Sequence, residues 1–213
     1  MAPTDQTSGN VEEAKHALRL SLSLTDVLFL IVLLLLVYTQ LQNLFAGNVV
    51  AGLFVLQQVT TIIVMLLHRP PQSGPASRQD ILLAWGGTLL PLAMQPTDAA
   101  ANPVGGLLVL VGLVLTTGAI LSLGRSFGIE AANRGIQTKG LYRFVRHPIY
   151  AAYLPLMGGF LIAFPSWWNG VLFVVWMGCQ VARIRREEAV LGEDATYRDY
   201  AIQVRWRLIP EVW

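Results

Sequence analysis

Six apolar stretches dominate the sequence and limit what the chain can fold into. They cover residues 24–41, 49–67, 81–95, 104–123, 148–164 and 167–182. A helix needs about 20 apolar residues to cross a bilayer. Of all residues, 54% are hydrophobic and only 13% are charged, against roughly 25% charged residues in ordinary soluble domains. The pattern predicts an all-α, polytopic integral membrane protein with about six transmembrane helices.

The segment 81–95 is the weakest of the six candidates. It contains Gly86, Gly87 and Pro91, which predict a kinked or irregular helix. A five-span alternative, with this segment lying in the interface, would put the two chain ends on opposite sides of the membrane. The four segments up to residue 123 are interpreted as a scaffold, and residues 124–213 as the catalytic portion of the same structural domain.

Basic residues alternate between the connectors and favour six spans. The connectors 42–48, 96–103 and 165–166 contain no Lys or Arg, whereas the N-terminal segment, 68–80, 124–147 and the tail contain all of them. By the positive-inside rule, both termini and the polar connectors are predicted to be cytoplasmic. In a prokaryote the membrane would be the inner or plasma membrane.

Two amphipathic helices are expected outside the spans. Residues 11–23 mix charged and apolar side chains and predict a short surface helix. Tyr197, Tyr200, Ala201 and Val204 follow helical spacing and predict a C-terminal cytoplasmic helix folded back on the membrane-proximal face. In the fourth span, four small residues predict close helix contacts; they are Gly105, Gly106, Gly112 and Gly118.

Several function classes are disfavoured. The apolar segments carry no Asp, Glu, Lys, Arg or His in their interiors, whereas an ion or proton pathway usually requires such groups at mid-membrane. A net charge of +2 is too small to indicate a nucleic-acid binder. There is no Walker loop and no GxGxxG pattern. The single Cys179 excludes an intramolecular disulfide and leaves no Cys/His metal pattern, so no metal site is predicted.

Two polar clusters are predicted to meet. The stretch 140–150 carries Arg143, Arg146 and His147 directly before Pro148, a residue suited to the first turn of a helix. A second cluster, 183–188, follows the next apolar hairpin. Because the hairpin returns the chain to the same side of the bilayer, we expect the clusters to face each other and form the site.

These residues also resemble a known family. The patterns are Gly140-x-Tyr142-x-x-x-Arg146-His147-Pro148-x-Tyr150, then Arg185-Arg-Glu-Glu188-x-x-Leu191, Tyr197-x-x-Tyr200 and Leu208-Ile-Pro210. Residues 121–213 thereby resemble the isoprenylcysteine carboxyl methyltransferases and, more distantly, the phospholipid N-methyltransferases. The chain departs from the family at Ala152, where glycine is frequent, and at Gln203, where a basic residue is frequent.

The resemblance implies S-adenosylmethionine-dependent methyl transfer. The cofactor would occupy a pocket facing the cytoplasm, and a lipophilic small-molecule or prenylated acceptor would enter from the bilayer. A C-terminal carboxylate, with a pKa near ~3.5, is already ionised at neutral pH and needs no general base. An amine acceptor must lose its proton, and Glu187 or Glu188 would then be a candidate base.

The resemblance also implies roles for particular residues. His147 and Tyr150 are assigned to the adenosine or methionine part of the cofactor, and Arg146 to its carboxylate. Glu188 is assigned to the ribose hydroxyls or the cationic end, and Arg205 or Arg207 to an anionic acceptor. The candidate cofactor-binding residues are Tyr142, Arg146, His147, Tyr150, Glu187 and Glu188; the candidate catalytic residues are Glu188, Arg205 and Arg207.

Other interpretations remain open at the level of sequence. Glu187 and Glu188 could be i,i+4 partners on a solvated helix face, and Arg143 and Arg146 could be orientation charges. Within enzymes, the alternative is an N-methyltransferase acting on phospholipid or another lipid amine. In another class, the alternative is a non-catalytic membrane protein that binds a lipid or a partner.

Overall fold

The computed structural model describes residues 22–72, 77–97 and 102–213. The predicted surface helix 11–23 lies outside these ranges except for Leu22 and Ser23, which precede the first helix. Seven α-helices and no strand occur within the described residues, so the all-α prediction is confirmed. The helices are α1 Leu24–Phe45, α2 Val50–Leu66, α3 Arg78–Leu89, α4 Pro103–Leu123, α5 Pro148–Ala163, α6 Trp167–Leu191 and α7 Ala195–Gln203.

Local sequence signals fix where several helices begin. Ser23 and Ser77 each form a capping box with an aspartate three residues later, Asp26 and Asp80. Asn102 caps α4 through its side chain. Helices α4 and α5 both begin with proline, which loses no hydrogen bond at the first helical position. The third apolar segment changes from α3 to a 3₁₀ helix at Leu90–Ala93, around Pro91, as its composition predicts.

The apolar helices fit a membrane environment. Among the described residues, Leu24–Phe45 and Pro103–Ser126 are long and apolar enough to span a bilayer, and Val50–Leu66 and Pro148–Ala163 are apolar but shorter. Large apolar side chains such as Leu34 and Leu35 point outward, 58% and 61% exposed. In water such surfaces would be costly, whereas in lipid they are not.

The polar connectors gather at one end of the helices. The guanidinium of Arg125 donates to the carbonyl of Leu67 at 3.0 Å, and Arg186 donates to the carboxylate of Asp80 at 2.7 Å. At the same end Asp26, at the start of α1, lies 3.8 Å from His68, just beyond α2. We call this the polar end.

The described residues of two connectors without Lys or Arg, 96–103 and 165–166, lie at the opposite end. The indole of Trp168 donates to the carbonyl of Ala93 at 3.1 Å, and Asn169 donates to the carbonyl of Gln95 at 2.8 Å. The backbone N–H of Asn102 donates to the carbonyl of Ala163. Helix α3 and its 3₁₀ extension therefore reach from the polar end to the opposite end, as α6 does.

Glycine lets α4 and α5 pack closely. A Cβ atom at Gly112 would lie 2.6 Å from the Cα of Leu156, and one at Gly159 would lie 2.7 Å from the backbone nitrogen of Val109. Gly105 meets the backbone of α5 in the same way. The expectation fails for Gly106, which has no neighbour within 4 Å, and it is weak for Gly118. Gly106 lies away from the α5 interface.

Helix α6 is longer than its apolar part. The polar stretch 183–188, interpreted from sequence as the start of the tail, forms the last turns of a continuous helix that ends at Leu191. Arginine and glutamate are good helix formers, and no glycine or proline occurs between Arg183 and Gly192. Arg183, Glu187 and Leu191 therefore share one face of the helix at intervals of four residues.

Candidate active site

A cavity of about 150 Å³ lies at the polar end. Its walls come from α5, α6, α7 and the connector 124–147, with Phe29 of α1, Thr88 of α3 and Leu123 of α4 contributed by the scaffold. Five of the predicted cofactor-binding residues line it: Tyr142, Arg146, His147, Tyr150 and Glu187. The two polar clusters do meet, as the hairpin predicts.

His147 lies between two carboxylates. It precedes Pro148 at the start of α5 and is only 5% exposed. Its Nε2 atom lies 3.1 Å from Oε1 of Glu188, and its Nδ1 atom lies 3.7 Å from Oε2 of Glu187. The hydroxyl of Tyr150, one helical turn into α5, donates to Glu187. These contacts fix the imidazole ring at the edge of the cavity.

The carboxylate of Glu188 binds four side chains. Oε1 accepts from His147 and from the hydroxyl of Tyr197 at 3.2 Å, and it lies 3.3 Å from Nη1 of Arg146. Oε2 accepts from Nε of Arg207 at 2.8 Å. Burial raises the pKa of Glu188, but the hydrogen bonds from His147 and Arg207 and the charges of His147 and Arg146 outweigh burial and lower it to about 2. Glu188 is therefore ionised at neutral pH.

The C-terminal tail pairs with the backbone of the motif. The N–H groups of Arg146 and His147 donate to the carbonyls of Trp206 and Arg207, both at 2.9 Å. The side chain of Arg146 reaches the carbonyl of Arg205 at 3.4 Å. Glu188, Arg205 and Arg207 do not line the cavity; Arg207 is engaged with Glu188, and the side chain of Arg205 is exposed.

Two tyrosines of α7 close another side of the cavity. Tyr197 donates to Glu188, and Tyr200 donates to the carbonyl of Tyr142 at 2.6 Å. Burial raises the pKa of Tyr200 to about 12, and burial also raises that of Tyr142 well above its ordinary value. The phenols of Tyr142, Tyr197 and Tyr200 are therefore protonated at neutral pH and can donate hydrogen bonds.

The part of the cavity wall formed by the connector was not predicted from the sequence. Residues 126–137 of the connector contribute almost continuously, including Arg134. Arg183 also lines the cavity and donates to the carbonyl of Ile129 at 3.0 Å, joining α6 to the connector. Two glycines in the connector are the sequence signal for this part of the wall. Gly128 packs against Arg134, and Gly135 has a φ of +97°, a value that favours glycine.

The structure is that of a helical protein with two helices long and apolar enough to span a membrane and a cavity at the polar end, lined by both apolar and polar side chains. Residues 101–197 match the family model described as phospholipid methyltransferase. The match to this segment supports the resemblance to the isoprenylcysteine and phospholipid methyltransferases seen in the sequence. No curated protein matches the chain.

Proposed function

We propose that the protein is an integral membrane, S-adenosylmethionine-dependent methyltransferase that modifies a lipophilic acceptor. The observation that carries the proposal is the convergence of Arg146, His147, Tyr150 and Glu187 on one cavity inside the segment that matches the family. Methyl transfer from a sulfonium needs alignment and exclusion of water more than it needs a nucleophilic side chain. A buried cavity lined by fixed polar groups suits that requirement.

The lining residues fit the chemistry of the cofactor. Tyr142, His147 and Tyr150 offer ring and hydroxyl groups for the adenosine part, and Glu187 offers a carboxylate for a hydroxyl or cationic group. Arg146 has a buried Nε atom without a hydrogen-bond partner, although its Nη1 is engaged with Glu188. The cofactor supplies the activated methyl group, and these residues orient and enclose it.

Glu188, Arg205 and Arg207 act around the cavity in this proposal, because none of them lines it. Glu188 fixes His147, Arg146 and Tyr197, so we propose that it shapes the cofactor site from behind the lining residues. Arg205 and Arg207 remain candidates for an anionic acceptor at the outer side of the tail. This role requires the acceptor to approach along the tail, since neither residue lines the cavity.

A carboxylate is the acceptor that we put first. It needs no base, and three cavity-lining arginines would favour an anionic group; they are Arg134, Arg146 and Arg183. Glu188, with a pKa of about 2, is too weak a base to deprotonate an amine.

A lipid amine is the second candidate. Glu187 lines the cavity and could serve as the base or electrostatic partner of an amine, and the matched family is named for phospholipids. The pH dependence of the rate separates the two acceptors. The rate with an amine rises as the amine loses its proton, whereas the rate with a carboxylate changes little above neutral pH.

We further propose six spans, with both termini and the cavity in the cytoplasm. The support is the alternation of basic connectors together with their gathering at the polar end. Labelling of single cysteines placed in 42–48 and 68–80 of intact cells tests this. Label that cannot cross the membrane should reach only the first connector.

Calorimetric titration of the detergent-purified protein with S-adenosylmethionine and S-adenosylhomocysteine tests the activity proposal. Wild type should bind both, and His147→Ala and Arg146→Ala should weaken binding at least tenfold. Glu188→Gln should weaken binding because His147 and Arg146 lose their shared carboxylate. Arg143→Gln is the matched control, since Arg143 is exposed and stacks on Phe144.

A folded wild type that binds neither compound would overturn the methyltransferase proposal. The non-catalytic reading, a membrane protein that binds a lipid or a partner, would then take its place.

A further inference from the structure

Arg134 is a buried cation in the wall of the cavity. It lies in the connector between α4 and α5, outside the motifs that the family resemblance uses, and it is 5% exposed. Its Nη1 atom donates to the carbonyl of Glu130 at 3.2 Å. Its buried Nε atom has no hydrogen-bond partner. An arginine has five N–H donors, so this guanidinium of the cavity wall has unused hydrogen-bonding capacity.

Three other arginines pair with carboxylates, and Arg183 in the cavity wall donates to the carbonyl of Ile129 and the side chain of Gln180. Arg146 and Arg207 both pair with Glu188, and Arg186 pairs with Asp80. Within the described ranges, no carboxylate oxygen lies within 4 Å of the Arg134 guanidinium. Burial lowers the pKa of Arg134, and the more distant charges of Asp26, Glu130 and Glu187 compensate only in part.

The connector holds this guanidinium in a fixed position. Gly128 has no side chain where Arg134 packs, and a Cβ there would lie 2.9 Å from the Nε atom. The hydroxyl of Ser126 donates to the carbonyl of Arg134 at 3.2 Å. The next N–H, of Gly135, donates to the side chain of Asn133 at 2.9 Å. The backbone on both sides of Arg134 is therefore tied down.

A buried arginine without a carboxylate partner is expensive for a fold, and an uncharged side chain of similar size would fill the space at lower cost. The cost is offset when a bound anion completes the pair. Guanidinium binds planar carboxylates and phosphates through paired hydrogen bonds, and it does so best where water is excluded.

We propose that Arg134 is an anion-binding residue of the cavity and takes a carboxylate or phosphate group of the bound ligand. This inference rests on the proposed methyltransferase function. The anion has two possible sources, the amino-acid carboxylate of the cofactor and the anionic end of a lipid acceptor. In either case the oxygens lie against the guanidinium and neutralise its charge.

The test compares Arg134→Gln and Arg134→Lys with wild type in detergent. The probes are S-adenosylhomocysteine and its analogue that lacks the carboxylate. If Arg134 binds the cofactor carboxylate, Arg134→Gln should lower the affinity for S-adenosylhomocysteine roughly 10- to 100-fold. The affinity for the analogue should stay unchanged. Arg134→Lys should retain part of the affinity because it keeps the charge.

An acceptor anion predicts a different result. In that case Arg134→Gln should bind S-adenosylhomocysteine as tightly as wild type does. Its affinity for palmitate or lysophosphatidate should fall, whereas its affinity for the uncharged hexadecanol should not. Equal affinity of wild type and Arg134→Gln for all the anionic probes would overturn the inference. Wild type that fails to bind S-adenosylhomocysteine but binds the anionic lipids through Arg134 would refute the proposed function alone.

Two further variants separate binding from folding. Gly128→Ala pushes against the Arg134 guanidinium without removing its charge, and it should weaken the same probe as Arg134→Gln does. Arg143→Gln removes an exposed arginine of the same connector and should leave all affinities unchanged. The helical circular-dichroism signal and Tm of each variant show that the binding losses are measured on folded protein.

Discussion

The Nε atom of Arg207 lies 2.8 Å from Oε2 of Glu188, and this contact joins the C-terminal tail to the end of helix α6. The other oxygen of the same carboxylate meets His147, Arg146 and Tyr197. One side chain of α6 therefore connects the start of α5, the helix α7 and the tail. The geometry of the cavity depends on this carboxylate although it does not line the cavity.

Replacing Glu188 should destabilise the fold as well as weaken the site. Glu188→Gln removes the charge that compensates Arg146 and Arg207 but keeps the size of the side chain. Breaking a fully buried ion pair from one side costs about 3–5 kcal/mol; the partial exposure of Arg207 reduces that cost, and Tm in detergent should still fall by several degrees. Glu193→Gln is the matched control, because Glu193 is exposed beyond the end of α6. Equal Tm values for the two variants would contradict the central role of Glu188.

Acid should destabilise the protein through the same group. The pKa of Glu188 is lowered from 4.5 to about 2, and a lowered carboxyl pKa contributes stability above the unfolded value that is lost as pH falls toward the folded value. Tm of wild type should therefore fall between about pH 4.5 and pH 2.

Asp80 acts in the same window, since its hydrogen bonds from Arg186 lower its pKa from 3.8 to about 2. Glu188→Gln and Asp80→Asn should each flatten the acid limb of a Tm-against-pH curve, and the double variant should flatten it further. A Glu188→Gln curve parallel to that of wild type would show that the carboxylate does not carry this pH dependence.

The helices and the meeting of the two clusters could be predicted because both depend on local information. Apolar runs, the prolines at Pro103 and Pro148 and the hairpin at 165–166 fix the number and direction of the helical segments. The length of α6 could not be predicted from apolar content, because residues 183–188 are polar yet keep their helical hydrogen bonds.

The wall made by the connector depends on contacts between distant parts of the chain. Arg183 meets Ile129 across 54 positions of sequence, and no periodicity within the connector indicates such a contact. The spacing of the motifs predicts that Glu188 lies at the site. Whether its carboxylate faces the ligand or the surrounding residues depends on contacts between distant parts of the chain, which the spacing does not indicate.

Helix packing between α4 and α5 gives a third prediction with an internal control. Gly112→Ala places a methyl group 2.6 Å from the Cα of Leu156, and the helices must separate to accept it. Overpacking of this kind costs about 1–3 kcal/mol. Gly106→Ala adds the same methyl group on the same helix, where nothing lies within 4 Å, and it should leave Tm unchanged or slightly raised. Similar Tm values for the two variants would contradict the inference that close packing at Gly112 limits the size of its side chain.

The size of the cavity predicts that the tail moves. Pockets for drug-sized ligands begin at roughly 300 Å³, and this cavity measures about 150 Å³. The most direct way to widen it is to displace α7, since the wall formed by Tyr197 and Tyr200 is held by one side-chain hydrogen bond from each tyrosine, whereas residues 205–207 are tied to the motif. Once the ligand is inside, it should contact these tyrosines and hold the tail closed.

Limited trypsin digestion measures this movement. Cleavage after Arg198 and Arg205, which are exposed in α7 and the tail, should slow several-fold in saturating S-adenosylhomocysteine. Tyr200→Phe removes the hydrogen bond to the carbonyl of Tyr142 and should speed cleavage in the absence of ligand. Cleavage after Arg78, at the start of α3, serves as the reference because Arg78 is exposed and does not line the cavity. If tail cleavage proceeds at the same rate with and without ligand in a protein that binds it, then α7 is a fixed wall and the cavity widens by movement of the connector 124–147 instead.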